Sequence, residues 1–351
     1  MLGLRHQLFA AAFQVIAATG ADRWLRSVAR GSGVILMFHH VRPAQPRDFA
    51  PNRLLEIAPA FLDTILDMLE RSGFDLVSLD ELPARLEGGR DARPFAALTF
   101  DDGYRDNVEY ALPVLRRRGA PWTLFVTTDF ADGKGRLWWL ELEQAVDRLD
   151  RLRVELDGDT IDLPCRTAAE KGAAFETVYW RLRAGPEERL RSVIAGLGEM
   201  AGLDFSALAR GLCLGWEELR ALADDPKVTF GAHTLTHPML AKHDEVAARR
   251  EIAMSRSLIE ERLGRPVRHF AYPVGDPTSA GAREFRLARE AGFATAVTTR
   301  PGHVFAGHAA HLHALPRVSV NGLFQSEAAL TSLLSGVPFL MFNRGRRINV
   351  A

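Results

Sequence analysis

Two aspartates in a row, Asp101 and Asp102, lie in the run Thr99-Phe100-Asp101-Asp102-Gly103-Tyr104. Two histidines four residues apart, His233 and His237, lie in Gly231-Ala232-His233-Thr234-Leu235-Thr236-His237-Pro238. One carboxylate and two imidazoles make a three-ligand set for zinc or another divalent first-row ion. Such a set leaves a position open for water and substrate, the pattern of a catalytic rather than a structural site. The four-residue spacing predicts a helical turn with both rings on one side, and Pro238 limits its continuation. A carboxylate committed to a cation is too weakly basic to take a proton, so the neighbouring aspartate is left for general-base work. The residues alone do not say which aspartate is which. Each half also has a plainer explanation: Asp-Asp-Gly after a strand is an ordinary turn, and a His-x-x-x-His pair can bond the backbone at a helix start.

The elements that must bring these groups together follow a β-α rhythm. Gly33-Val34-Ile35-Leu36-Met37-Phe38 and Phe95-Ala96-Ala97-Leu98-Thr99-Phe100 are continuous apolar runs, as in strands buried on both faces. The second delivers Asp101 and Asp102 at its end. A helix is expected from about Pro59 to Arg71, with Gly73 just beyond it. Further strands are expected at 122–126, 228–230, 269–272 and 295–298, alternating with helices at 113–118, 216–222, 244–263 and 282–291. In an α/β barrel the strand ends converge on one face, so Asp101, Asp102 and His233 become neighbours there. Between 133 and 214 the rhythm breaks into amphipathic helices around a hairpin signal at Asp157-Gly158. This stretch reads as an insertion over one face of the barrel, and Trp138, Trp139 and Trp180 read first as core and second as sugar-stacking rings.

Together with Arg268-His269-Phe270-Ala271-Tyr272-Pro273, the aspartate and histidine runs resemble, in order and in flanking residues, the polysaccharide deacetylase family, or NodB-homology domain. The resemblance extends from about Val34 to Val320. It implies a distorted (β/α) barrel at 33–132 and 215–325, on either side of the mainly helical insertion at 133–214; outside it, charge and composition predict an N-terminal amphipathic helix at 1–32 and a peripheral C-terminal segment at 326–351. It implies Asp102, His233 and His237 as metal ligands, Asp101 as the base, and the Tyr272 backbone N–H as part of an oxyanion hole. Tyr104 and Pro273 are expected to contact substrate. The general acid is left between His313, in His311-Leu312-His313-Ala314-Leu315-Pro316-Arg317, and His39, which ends the first strand. That last run resembles the Leu-Pro-Arg ending of the branch that includes exopolysaccharide and biofilm-glucosamine deacetylases. One departure stands out: many relatives carry an arginine in the third motif that orients the base, where this chain has Ala271.

The implied reaction is hydrolysis of N-acetyl groups on N-acetylglucosamine units of a poly- or oligosaccharide, with Zn2+ as the expected ion and Co2+, Ni2+ or Mn2+ as substitutes. Hydrolysis of another amide or ester on the same barrel, or sugar binding without turnover, remain as other readings. With 44 basic and 44 acidic side chains among 351 residues, no net field favours nucleic acid as a partner. Cys165 and Cys213 lack metal or redox spacing and read as buried thiols. The apolar stretch 8–18 is too short to span a bilayer. With the basic residues that follow, it is expected to be an uncleaved surface helix with peripheral membrane contact, in the cytoplasm or at a membrane rather than exported.

Overall fold

A computed structural model describes residues 13, 15, 16, 19–87 and 93–350. Its strands are β1 (Gly33–Phe38), β2 (His40–Val41), β3 (Glu56–Ile57), β4 (Asp75–Leu76), β5 (Phe95–Phe100), β6 (Trp122–Val126), β7 (Arg151–Leu156), β8 (Asp159–Pro164), β9 (Val228–Ala232), β10 (His269–Ala271), β11 (Thr295–Pro301) and β12 (Leu315–Ser319). Seven of them form a parallel ring in the order β1-β12-β11-β10-β9-β6-β5, and β5 returns to β1 in register from Gly33 with Phe95 to Phe38 with Phe100. The short β4 extends the sheet beside the start of β5. The chain is thus a (β/α) barrel of seven strands with helices around it.

Alternation along the strands sorts side chains into two cores. Ile35, Ala97, Phe125, Ala271, Val297 and Leu315 fill the inside of the barrel. Their neighbours one position away, such as Leu36, Leu98, Leu124, Phe270 and Ala296, point outward against the helices. Small residues are needed where the ring is tight: a Cβ at Gly231 would come 2.3 Å from the Phe125 ring. Continuing the same alternation past the strand ends carries Asp101 from β5 and Arg317 within β12 to the inner face.

Residues 138–212 build a separate layer. Helices Trp138–Arg148, Ala168–Ala184 and Glu187–Met200 pack around the antiparallel β7–β8 hairpin. Its turn has Asp157 at φ 58° and Gly158 at φ 83°, the left-handed pair that a two-residue hairpin requires. Leu142, Val146, Leu152, Phe175, Val178 and Ile194 give this layer its own apolar centre.

The ends of the chain differ from expectation. Most of the apolar stretch 8–18 lies outside the described residues. Beyond it are two short helices, Ala21–Trp24 and Arg26–Ala29, rather than one continuous helix. The C-terminal segment is less peripheral than its composition suggests: Val337 is buried against Ile16 and Ala29, and Asn343 donates to the Pro301 carbonyl at 2.9 Å. Among the described residues no helix is long and apolar enough to cross a membrane.

Candidate active site

Asp102 follows the end of β5 with φ 70°, a left-handed conformation that turns its carboxylate toward the end of β9. There it meets the two imidazoles. Asp102 Oδ1 lies 3.3 Å from His237 Nε2 and 3.5 Å from His233 Nε2. The three donor atoms all lie within 4.8 Å of one another, and all three residues are buried. Ligands each about 2.0–2.1 Å from a tetrahedral ion stand about 3.3–3.4 Å apart, so the observed separations fit one cation between them. Asp102 Oδ1 is buried and makes no hydrogen bond, as a ligand atom awaiting a cation would.

The histidine pair is not on a helix. Residues 233–238 form an irregular loop in which Thr234 (φ 67°) and His237 (φ 60°) are both left-handed. Side chains hold this loop where helical hydrogen bonds would have. Thr127 Oγ1 donates to the His233 carbonyl at 2.9 Å, and the His237 N–H donates to Thr234 Oγ1 at 3.0 Å. The Glu251 carboxylate accepts from the N–H groups of Leu235 and Thr236 at 2.9 and 3.0 Å. His233 Nδ1 lies 2.7 Å from the Ala271 carbonyl, which can only accept. The proton is therefore on Nδ1 and the Nε2 lone pair faces Asp102. Burial, reinforced by His237 and opposed by the two aspartates, lowers the His233 pKa to about 4, so the ring is neutral at pH 7 as a metal ligand must be.

Asp101 makes a different set of contacts. Arg317 grips it with two bonds of 2.7 Å, Nη1 to Oδ1 and Nη2 to Oδ2, and both side chains are buried. Burial works to raise the Asp101 pKa, but the Arg317 guanidinium overrides it and holds the carboxyl below its ordinary range, helped by His233 and His39. Asp102 is held well below that range too: burial opposes this, and the adjacent His237, with His39 and His233 beyond it, prevails. The cation that Ala271 cannot supply therefore comes from the last barrel strand. A motif search does not assign it. Strand alternation could have, because Leu315 is interior and Arg317 is two residues further along.

The remaining expected residues divide. His39 reaches the site, with Nε2 4.0 Å from Asp101 Oδ2 on the wall of the cleft, and burial lowers its pKa against the pull of Asp102 and Asp101. His313 does not: its Nε2 lies 2.8 Å from the Phe293 carbonyl, on the far side of the barrel wall. The Tyr272 N–H donates to Val297 O at 3.2 Å, because β10 is still paired with β11 at that point, so it is not free for an oxyanion. Its hydroxyl donates to the His313 carbonyl. Val274, two residues on at φ 62°, is the third-motif residue that lines the cleft, whereas Pro273 does not line it. Tyr104 is fully buried and stacks on His40, with ring centroids 3.6 Å apart, beneath the cleft rather than in it. His40 itself turns away to Asp106 at 2.6 Å.

The cleft above these groups encloses about 290 Å3, and the insertion roofs it with Trp138, Trp139, Tyr179 and Trp180. Trp138 and Trp139 belong both to the insertion's core and to the cleft wall, and the Trp139 ring centroid is 4.9 Å from that of His237.

The model of the family described as polysaccharide deacetylase matches residues 88–296, more than half of the chain. The chain belongs to the polysaccharide deacetylase family. It is a deacetylase, an enzyme acting on amide bonds of sugars. Among solved structures it is similar to the Streptococcus pyogenes deacetylase PplD in complex with acetate, at 18% identity and TM-score 0.55, covering 83% of this chain and 92% of that one. It is also similar to IcaB from Ammonifex degensii, at 18% identity and TM-score 0.52 over 88% and 97% of the two chains. A de-N-acetylase from Aggregatibacter actinomycetemcomitans shares 12% identity, with TM-score 0.52 over 86% and 98%. At such identities the likeness concerns the fold. Among curated protein sequences none matches.

Proposed function

We propose that this deacetylase is metal-dependent and removes N-acetyl groups from N-acetylglucosamine units of an oligo- or polysaccharide, with Zn2+ as its ion. The observation that carries the reading is the pairing of a three-donor cluster at ion-bridging separations with a second aspartate clamped beside it. Asp102, His233 and His237 would hold a divalent ion, which when bound would supply an activated water near neutral pH and a Lewis acid for the acyl oxygen. Arg317 keeps Asp101 ionised and fixed in orientation, so that it can take the proton as water attacks the acetyl carbon. The C–N bond then breaks, and the departing nitrogen needs a proton. His39, on the cleft wall with Nε2 4.0 Å from Asp101 Oδ2, is placed to pass on to that nitrogen the proton that Asp101 took from water. With the Tyr272 N–H bonded to Val297, the backbone of Val274, which lines the cleft, is the third-motif segment nearest to hand for the oxyanion. With Arg317 in place, the missing third-motif arginine no longer favours a protein that binds sugar without turning it over.

Peripheral membrane contact of a chain kept in the cytoplasm belongs to the same proposal. Its support is the exposure of Trp24, Leu25 and Val28 on the N-terminal helices beside Arg23 and Arg26. Cell fractionation tests it, and recovery in the exported fraction would overturn it.

Metal analysis combined with an acetate-release assay on N-acetylglucosamine oligomers tests the chemistry. Wild type is expected to hold one ion and release acetate. His233→Ala is expected to lose both, and Asp101→Asn to keep the ion and lose release. Undiminished acetate release by the metal-free His233→Ala variant would defeat the proposal.

A further inference from the structure

The walls of the cleft bear on what is joined to the sugar. Its floor is polar and is spent on chemistry: Asp101, Asp102, His39, His233 and His237. Above the floor the lining changes character, with Leu54 and Leu55 from the turn Pro51–Leu55 facing Phe175 and Tyr179 from the insertion helix Ala168–Ala184.

The polar groups left on the walls are largely committed. The Asn52 amide donates to the Trp139 carbonyl at 2.9 Å and to Glu143 at 2.6 Å. Thr299 Oγ1 donates to the Val274 carbonyl at 2.7 Å. Arg183 is paired with Asp276 at 2.8 Å and lies over the Trp180 ring, and its Nε is left without a partner among the described residues. The buried indole N–H of Trp180 has no acceptor among the described residues and remains for a ligand, whereas that of Trp139 is turned toward the Tyr104 hydroxyl. Every hydroxyl taken out of water without a new partner costs on the order of 1–3 kcal/mol. These donors suffice for one sugar ring and not for a row of them.

Aromatic faces could substitute by stacking on further rings, but here they are turned on one another. Tyr179 stacks on Phe175 with centroids 5.5 Å apart and meets Trp138 at 5.3 Å. An apolar chain asks for no hydrogen bonds and is favoured by such a wall.

We propose that the cleft takes an N-acyl amino sugar joined to an apolar chain, a glycolipid-type substrate, with the sugar on the polar floor and the chain against Leu54, Leu55, Phe175 and Tyr179. This rests on the deacetylase reading of the same floor and narrows its substrate from a row of sugar units to a single amino sugar carried on that chain.

The test compares acetate release by the metal-loaded enzyme from methyl and octyl glycosides of N-acetylglucosamine, below the micelle threshold, and from N-acetylglucosamine oligomers of increasing length. The octyl-to-methyl ratio of kcat/KM is expected to exceed about tenfold, since each methylene that enters the cleft contributes about fourfold. Leu55→Ser is expected to cut that ratio and Leu55→Met to keep it. A ratio near one, with rates that climb with oligomer length, overturns the proposal. If none of these compounds is hydrolysed, the deacetylase reading of the floor fails separately. Quenching of the cleft tryptophans then decides the wall: tighter binding of the octyl than of the methyl glycoside sustains it, and equal binding refutes it.

Discussion

Glu187 joins the insertion to the loop that carries His233 and His237, and its removal should be felt in stability before chemistry is considered. It starts the helix Glu187–Met200, is almost wholly buried, and accepts from the Met239 N–H at 2.8 Å, from His243 at 3.0 Å and from Arg191 at 2.8 Å. Met239 stands two residues beyond His237. Burial alone would raise the Glu187 pKa, but the His243 hydrogen bond and the Arg191 charge reverse that and bring it from 4.5 to about 2. At about 1.4 kcal/mol for each tenfold change in proton affinity, the folded state gains about 3 kcal/mol from the ionised carboxylate. A depressed pKa stabilises above the unfolded value and ceases to as pH falls from about 4.5 toward 2. His243 moves the opposite way: Glu187 raises its pKa, so its share is full below its ordinary value of 6.5 and disappears as pH rises through the raised one.

The largest effect of Glu187→Gln is therefore expected near pH 6, where both partners are charged. Urea unfolding followed by tryptophan fluorescence should show a loss of about 3 kcal/mol at that pH, shrinking steadily below pH 4.5. A loss under about 1 kcal/mol at pH 6, or one that stays constant down to pH 3, would refute this account of the junction.

Arg317→Ala leaves Asp101 as an unpaired buried charge and is expected to cost about 3–5 kcal/mol, read as a fall in denaturant midpoint, with acetate release abolished. Arg317→Lys should recover part of the stability and little of the rate, because a point charge cannot reproduce the two-bond grip. His39→Ala is expected to lower kcat by about 10²-fold or more at unchanged metal content. His313→Ala should leave turnover near wild type and lower thermal stability only, through the lost bond to Phe293; the opposite ranking in an acetate assay would exchange their roles. Zinc added to metal-free protein should raise the midpoint of thermal unfolding, by about 2.7 kcal/mol of stabilisation at a hundredfold excess over Kd, and Asp102→Asn should abolish the rise.

Much of the architecture was legible because its signals are local. The strands at Gly33–Phe38 and Phe95–Phe100 are unbroken apolar runs, and the Asp157-Gly158 turn announces its hairpin within a few residues. The meeting of Asp102, His233 and His237 was legible because their flanking residues are distinctive. What failed depended on backbone direction or distant contacts. A four-residue histidine spacing fits a helix, yet Thr234 and His237 take left-handed angles held by Thr127 and by Glu251, itself on a helix later in the chain. The Tyr272 N–H, expected to face the oxyanion, is instead spent on the Val297 carbonyl, and nothing local shows that pairing with β11 still holds it. Tyr104 neighbours the aspartates in sequence, but its ring passes beneath them to stack on His40. Arg317 was the costliest omission, since its partner lies 216 residues earlier.

That separation has a consequence for how the enzyme comes into being. A growing chain exposes Asp101 and Asp102 long before the final barrel strand is made, and until Arg317 arrives the interior would have to accommodate two neighbouring carboxylates with no counter-charge. Completion of the ring and the ordering of this face are therefore one event, and a polypeptide halted short of β12 would carry Asp102, His233 and His237 yet have no partner to hold Asp101 in place.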